Sequence, residues 1–310
     1  MKGGICLKEK ILIIGSLNMD MVIGMKRMPL KGETVLGNGL SYIPGGKGAN
    51  QAFAAGMLGG NAAMLGCVGT DDIGVQLKEN MKKSGTDVAG IASVEQAPTG
   101  MAVIYVDEGG DNSIVVIQGA NGVCDVEYLK QNDDMIRESA YVIFQMEIPC
   151  EAVYYGIRRA KELGKTVILN PAPAPEKLPA EILAQIDYLT PNETEIVKLT
   201  GQKDLTMDSI RAGAWQLLAQ GVKNVLVTLG DKGAMLINPD EEQLYPSRKV
   251  NAVDTTAAGD CFNGAFAVGL AEGMSKAEAI RFANTASSIA VTRRGAQSSI
   301  PTRQEVMEQL

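Results

Sequence analysis

Ile11-Leu12-Ile13-Ile14 is an unbroken run of β-branched and long apolar residues that stops at Gly15. Such a run suits a strand covered on both faces in a parallel sheet. From Tyr141 onward, apolar runs alternate with helical stretches: Tyr141 to Phe144, Val153 to Leu163, Thr166 to Leu169, Asp187 to Thr190, Ile210 to Leu218 and Asn224 to Leu229. That βαβ rhythm predicts an α/β fold with a doubly wound, mostly parallel sheet flanked by helices. Phe262 to Leu270 reads as a buried helix, and Lys276 to Val291 as another, opened by a Ser275–Glu278 capping box. Two stretches break the rhythm. Lys31 to Pro44 is rich in glycine and β-formers without a helical period, and Met101 to Val106 with Ile114 to Ile117 flank the turn-like Asp107 to Asn112. They predict a small β-sheet lid of approximately residues 21–43 and 99–118 within a single domain, 1–310. A small exposed sheet needs its edges and apolar face covered, so the lid is expected to close over a ligand or pair with another subunit.

In doubly wound sheets ligands bind beyond the carboxyl ends of the strands, which directs attention to the polar residues after each run. Asn18 and Asp20 follow the first run and share one side of any extended chain. They suit a polyol, or a plain polar turn; spacing leaves both open. Gln145-Met146-Glu147, Asn170-Pro171-Ala172-Pro173, Pro191 to Glu195 and Thr228-Leu229-Gly230-Asp231-Lys232-Gly233 occupy the same position after later runs. Asn192 with Glu195 also reads as a capping box whatever the function. Gly45-Gly46-Lys47-Gly48-Ala49-Asn50-Gln51 precedes a small-residue helix, Ala52 to Leu58. It is not a P-loop, because no Ser or Thr follows the lysine; close approach by a ligand and a simple turn fit it equally. The densest signal is Val253 to Ala265, where Asp254 and a polar turn lead through Ala257-Ala258-Gly259 to Asp260 and the buried helix. A helix N-terminus has free N–H groups and the positive end of the dipole, so this stretch reads as an anion site with a carboxylate inside it.

Composition narrows the chemistry. The chain has no histidine, which removes Ser-His-Asp and Cys-His catalysis and His-ligated zinc, and leaves proton transfer to carboxylate, lysine, tyrosine or cysteine. Hydrophobic content of 45% with 21% charged residues is that of a core-forming chain, and the net charge of -7 argues against nucleic acid as a partner. No apolar run approaches the ~18 residues of a membrane span, and Ile11 to Ile14 is too short for a signal-peptide core. Cys6, Cys67, Cys124, Cys150 and Cys261 are odd in number, scattered and without C-x-x-C pairing, which reads as reduced, cytoplasmic cysteine usage.

Taken in order, Gly45 to Asn50 with Gly59 and Gly69, NPAPA at 170–174, TPNETE at 190–195, TLGDKG at 228–233, Asp254 to Ala267 and VTRRGAQSSIP at 291–301 resemble the PfkB-type carbohydrate kinases. The resemblance covers nearly the whole chain and lies closest to the branch that acts on ribose. It implies transfer of the ATP γ-phosphoryl group to the 5-hydroxyl of D-ribose. Asn18, Asp20, Gly46, Lys47, Gly48, Asn50 and Glu147 would hold the sugar, and Asp260 would be the general base. The Ala257, Ala258, Gly259 and Asp260 N–H groups would form the anion hole. Asn192, Thr228 to Gly233, Gly259 and Asn284 would meet the nucleotide, and Glu195 would help organise Mg²⁺ through water. The resemblance further implies a homodimer, and K⁺ bound by Asp254, Thr256, Ala290, Arg293, Gly295 and Ser299. Phosphoryl transfer needs charge neutralisation, in-line placement and a carboxylate to take the hydroxyl proton, all within reach of a chain without histidine. A nucleoside kinase should carry stacking aromatics in the lid, but Met101 to Ile104 is aliphatic. A non-catalytic sugar sensor is disfavoured by the intact Asp260.

Overall fold

A computed structural model describes residues 8–310; Cys6 lies outside the described residues. Thirteen strands are described in two sheets. The large sheet contains β1 (Lys10–Ile14), β4 (Asn61–Gly69), β5 (Ile91–Val94), β8 (Tyr141–Phe144), β9 (Thr166–Leu169), β10 (Tyr188–Leu189), β11 (Asn224–Thr228), β12 (Ala234–Ile237) and β13 (Glu242–Tyr245). The small one contains β2 (Asn18–Met25), β3 (Gly37–Gly45), β6 (Gly100–Val106) and β7 (Asn112–Ile117).

The large sheet runs β13-β12-β11-β10-β9-β8-β1-β4-β5, parallel from β11 to β5, with β12 and β13 antiparallel at one edge. Its central strands are apolar on both faces because both are covered. Ile11 and Ile13 pack with the Lys47–Met57, Ala258–Ala271 and Lys276–Ala290 helices, while Leu12 and Ile14 pack with the Cys150–Glu162 and Met207–Ala219 helices. Phe266 is fully buried on the first side, edge-to-face with Tyr188 at 5.1 Å. Truncating such a side chain to alanine typically costs about 3–5 kcal/mol.

Strand register aligns the polar residues at one edge of this sheet. Ile14 pairs with Leu65 and Phe144, Phe144 with Leu169, and Leu169 with Leu189. Gly15, Gln145, Asn170 and Thr190 therefore form a row one residue beyond the strand ends. The small sheet, ordered β3-β2-β6-β7, grows from this edge, because β2 starts at Asn18 four residues after β1 stops. Met101 to Val106 and Ile114 to Ile117 lie in β6 and β7 as expected. Of Lys31 to Pro44 only the part from Gly37 is strand, residues 31–36 being turn and irregular chain. β2 covers Asn18 and Asp20, which sequence left open between extended chain and turn. Ile114, Val115, Val116 and Ile117 on β7 and Leu40 and Tyr42 on β3 are exposed.

The expected helix starting at Ala52 begins earlier, at Lys47. The glycines divide between the two elements: Gly45 ends β3, Gly46 at φ 88 is the N-cap, and Gly48 is in the first turn, so the helix starts beside Ser16. The capping boxes at Asn192–Glu195 and Ser275–Glu278 are both formed.

Candidate active site

Asp260 is in the first turn of the Ala258–Ala271 helix and only 7% exposed. Its Oδ2 accepts from Asn50 Nδ2 and its Oδ1 from Gln51 Nε2, each at 3.0 Å. Burial raises its pKa, while Lys47, Asn50 and Gln51 pull it back down. Ala257, the N-cap, has φ 57, a left-handed conformation uncommon outside glycine. Ala258 N–H is taken by Thr255 O at 3.2 Å, whereas Gly259 and Asp260 belong to the first turn, whose N–H groups have no acceptor within the helix. Space opens beside Gly259: a Cβ built there meets nothing within 4 Å.

Asn18, Asp20, Glu147 and Lys47 stand around this turn. Asn121 Nδ2 donates to Asn18 Oδ1 at 2.7 Å, and Asn121 also pairs with both backbone groups of Leu17. Held this way, Asn18 has its NH2 left to offer a ligand. Asp20 accepts no hydrogen bond from the described residues; burial, Glu147 and then Asp260 push its pKa up to about 7 against the pull of Lys47. Glu147 Oε2 accepts from Ser16 Oγ at 2.5 Å and from Lys47 N–H at 3.0 Å, which joins the end of β8 to the glycine-rich turn. Burial lowers the Lys47 pKa, but Asp260, Glu147, Glu195 and Asp20 together raise it further, so the ammonium stays charged. Gly46 and Gly48 line the backbone between Ser16 and Asn18: Cβ atoms there would fall 2.7 Å from Asn18 N and 2.6 Å from Ser16 N.

The nucleotide candidates flank the ends of β10 and β11. Asn192 caps the Glu193–Thr200 helix through Glu195 N–H at 2.8 Å, and Glu195 Oε2 returns the bond to Asn192 N–H at 2.8 Å. Burial raises the Glu195 pKa. Thr228 bridges to Asn192, and Leu229 to Gly233 form a tight turn with Leu229 N–H on Gly233 O at 2.8 Å. Asp231 and Lys232 are exposed on that turn. Asn284 lies on the neighbouring helix with its NH2 donated to Tyr245 O at 2.9 Å.

The cation candidates form a third group. Asp254 Oδ1 accepts from Thr256 N–H at 2.9 Å and from its hydroxyl at 2.6 Å; Oδ2 accepts from Gly295 N–H at 2.9 Å. Asp254 thereby ties the turn before the base to the loop after the Lys276–Ala290 helix. Ala290 ends that helix and accepts from Arg293 N–H at 3.0 Å; Ser299 is buried and bonded to Ala296 O at 2.8 Å. The Arg293 side chain turns away to Glu305.

Several residues of the site had no role assigned from sequence. Gln145 and Asn170 drew notice only as strand-end polar residues, and Gln51 as part of the glycine motif. Asn170 Oδ1 accepts from Gln51 at 3.1 Å, and Gln145 Nε2 donates to Gln51 Oε1 at 2.7 Å. Ser16 sat in a stretch noted for Asn18 and Asp20 and Gln297 in the 291–301 motif without a role of its own, whereas Asn121 gave no local signal. Away from the site, a surface cleft of about 510 Å³ is lined by Lys130, Asp133, Tyr155, Arg158, Arg159 and Glu162. Its Asp133 and Glu162 both pair with Arg159, and no reacting group faces it.

A buried carboxylate at an open helix N-terminus, ringed by amides and carboxylates at the edge of a parallel sheet, has the chemistry that phosphoryl transfer to a hydroxyl asks for. Residues 8–303 match the pfkB family carbohydrate kinase model, and the chain belongs to that family. It is 41% identical to the ribokinase of Haemophilus influenzae over 97% of this chain and 98% of that protein. Among solved structures it resembles the ribokinase of Thermotoga maritima, 41% identical with TM-score 0.89 over 97% of this chain and 98% of that one. It also resembles the Arabidopsis thaliana ribokinase complexed with ribose and ATP, 34% identical with TM-score 0.92 over 97% and 98% of the two chains.

Proposed function

We propose that this chain phosphorylates D-ribose at the 5-hydroxyl with ATP, giving ribose 5-phosphate and ADP. The observation that carries this is Asp260: a buried carboxylate oriented on both oxygens by amides, placed where the first turn of a helix leaves N–H groups free. Asn18, Asp20, Gly46, Lys47, Gly48, Asn50 and Glu147 hold the sugar. Asp260 takes the proton of the attacking hydroxyl as its oxygen bonds to the γ-phosphorus and ADP leaves. The first-turn N–H groups of Gly259 and Asp260, presented by the Ala257-Ala258 turn, stabilise charge on the transferred group. The nucleotide lies along Asn192, Thr228 to Gly233, Gly259 and Asn284.

Glu195 keeps Oε1 outside its capping bond and has Lys47 and Asp260 in its field, so it fits a role in holding hydrated Mg²⁺, which supplies charge neutralisation for the phosphates. Asp254, Thr256, Ala290, Arg293, Gly295 and Ser299 offer an all-oxygen donor set on two loops that Asp254 already joins, which suits K⁺ as an activator. Residues 1–310 form one kinase domain whose lid, 21–43 and 99–118, closes over the sugar and excludes water. The protein works in the cytoplasm as a homodimer.

The test is ADP release over ribose, deoxyribose, fructose and nucleosides, in alkali-free buffer with K⁺, Na⁺ or Cs⁺ added back. Ribose is expected to give the highest kcat/KM and K⁺ to raise kcat. Preference for a nucleoside would sink the reading, and a rate indifferent to K⁺ would remove the cation site.

A further inference from the structure

Asp260 stands in the middle of a chain of side-chain amides longer than the site itself. Outward, Asn50 donates to the carboxylate, Asn50 Oδ1 accepts from Gln297 Nε2 at 3.1 Å, and Gln297 Oε1 accepts from Asn80 Nδ2 at 2.6 Å. Inward, Gln51 donates to the carboxylate and Gln51 Oε1 accepts from Gln145 Nε2. Each amide has one donor end and one acceptor end, and an ionised carboxylate only accepts. The charge on Asp260 therefore sets the direction of every amide in both branches. The inner branch shows what this alignment costs. Gln145 Oε1 is a buried side-chain atom without a partner, packed against Gly15. An unpaired buried carbonyl is unfavourable, yet turning Gln145 over would set its carbonyl against that of Gln51.

The outer branch crosses three parts of the fold. Asn80 is half-buried on the Asp72–Lys83 helix, Gln297 is 4% exposed in the turn after the last long helix, and Asn50 belongs to the glycine-rich turn. We propose that Gln297 and Asn80 are positioning residues for phosphoryl transfer: they keep the Asn50 NH2 on Asp260, so that both carboxylate oxygens stay bonded and the base stays aimed at the sugar hydroxyl. This rests on Asp260 being the base. Neither residue touches substrate; each acts through Asn50. The charged groups around Asp260, namely Lys47 at the glycine-rich turn, Glu147 beyond β8, Asp20 on β2 and Glu195 beyond β10, and the neutral Cys261 thiol beside it on its own helix, are untouched by substitution at position 80 or 297.

Asn80→Asp puts an acceptor at the head of the chain. Gln297 and Asn50 then turn over, the Asn50 carbonyl faces Asp260, and the base holds its proton more tightly. The acid limb of kcat/KM for ribose should move to higher pH, kcat should fall about tenfold, and the KM for ATP should stay unchanged. The shift should persist in high salt, which screens repulsion from a new surface charge but not a reversed hydrogen bond. Gln297→Met breaks the chain and should lower kcat by a similar factor. An acid limb in Asn80→Asp that matches wild type in high salt overturns the proposal, as does an unchanged kcat in Gln297→Met. A wild type inactive on ribose defeats the functional reading alone. The relay is then judged by exchange of the Asn50 side-chain amide protons in ¹⁵N-labelled protein, slow in wild type and fast in Gln297→Met if it exists, equal in both if it does not.

Discussion

Asp260 is held between opposing influences: burial raises its pKa, and Lys47 with two amide donors limits the rise. A carboxylate poised this way takes a proton more readily than a solvated one, as the proposed base must. Asp260→Asn keeps the shape and removes the acceptor, so kcat should fall at least ~10²-fold while ribose affinity changes little. Near-normal turnover in single-turnover assays would take the base assignment away. Asp20 gives a second prediction. Its folded pKa, about 7, lies above the ordinary 3.8, so the proton binds the folded state more tightly than the unfolded chain. The stability it confers is full below about pH 4 and lost as pH rises through 7. Asp20→Asn should therefore stabilise the ligand-free protein at pH 8, by on the order of 2–4 kcal/mol, and flatten the slope of stability between those values. Urea melts at pH 5 and pH 8 measure this; an equal effect at both would contradict it.

Two helices that meet across the glycine-rich turn bring these residues together. Gly264 is four residues after Asp260, on the same face of its helix, and a Cβ there would sit 2.6 Å from Gln51 O and 2.8 Å from Ala54 Cβ. Only glycine allows the Lys47–Met57 helix close enough for Asn50 and Gln51 to reach the carboxylate. Gly264→Ala should cost about 1–3 kcal/mol by overpacking and, because it pushes Asp260 off its amides, lower kcat more than it changes the KM for ATP. Thermal melts beside steady-state kinetics separate the two effects, and full activity in a destabilised protein would show that the close contact serves packing only.

At the scale of the whole molecule, the small sheet leaves an apolar surface uncovered. Val115 and Ile117 on β7, each about half exposed, share one face with Leu40 and Tyr42 on β3 through the register Val115–Val103–Met21–Tyr42, whereas Ile114 and Val116 lie on the opposite face with Asp20. A four-stranded sheet with such a surface is stabilised by covering it, and pairing with the same sheet of a second copy does so with two-fold symmetry. Val115→Lys should give a monomer at micromolar concentration in sedimentation, with a raised KM for ribose because the lid loses its support. A wild type that already sediments as a monomer would dismiss the dimer.

The features that sequence alone determined rest on local periodicity and short motifs. Ile11 to Ile14 announced a doubly covered strand, Ser275 with Glu278 a helix start, and Ala257 to Asp260 the opening turn of a buried helix with a carboxylate in it, because each depends on residues near one another in the chain. Tertiary structure alone decided what holds Asp260 in place. Gln297 lies 247 residues from Asn50, Asn50 lies 210 from Asp260, and Asn121 lies 103 from Asn18. A lone glutamine or asparagine carries no periodic or capping signal, and its partner is set only when the sheet brings Gly15, Gln145, Asn170 and Thr190 to one edge. The start of the first helix at Lys47 belongs to the same category. Glycine permits a turn as readily as a helix entry, and the backbone of Ser16 and Asn18, packed beside it, selects between them.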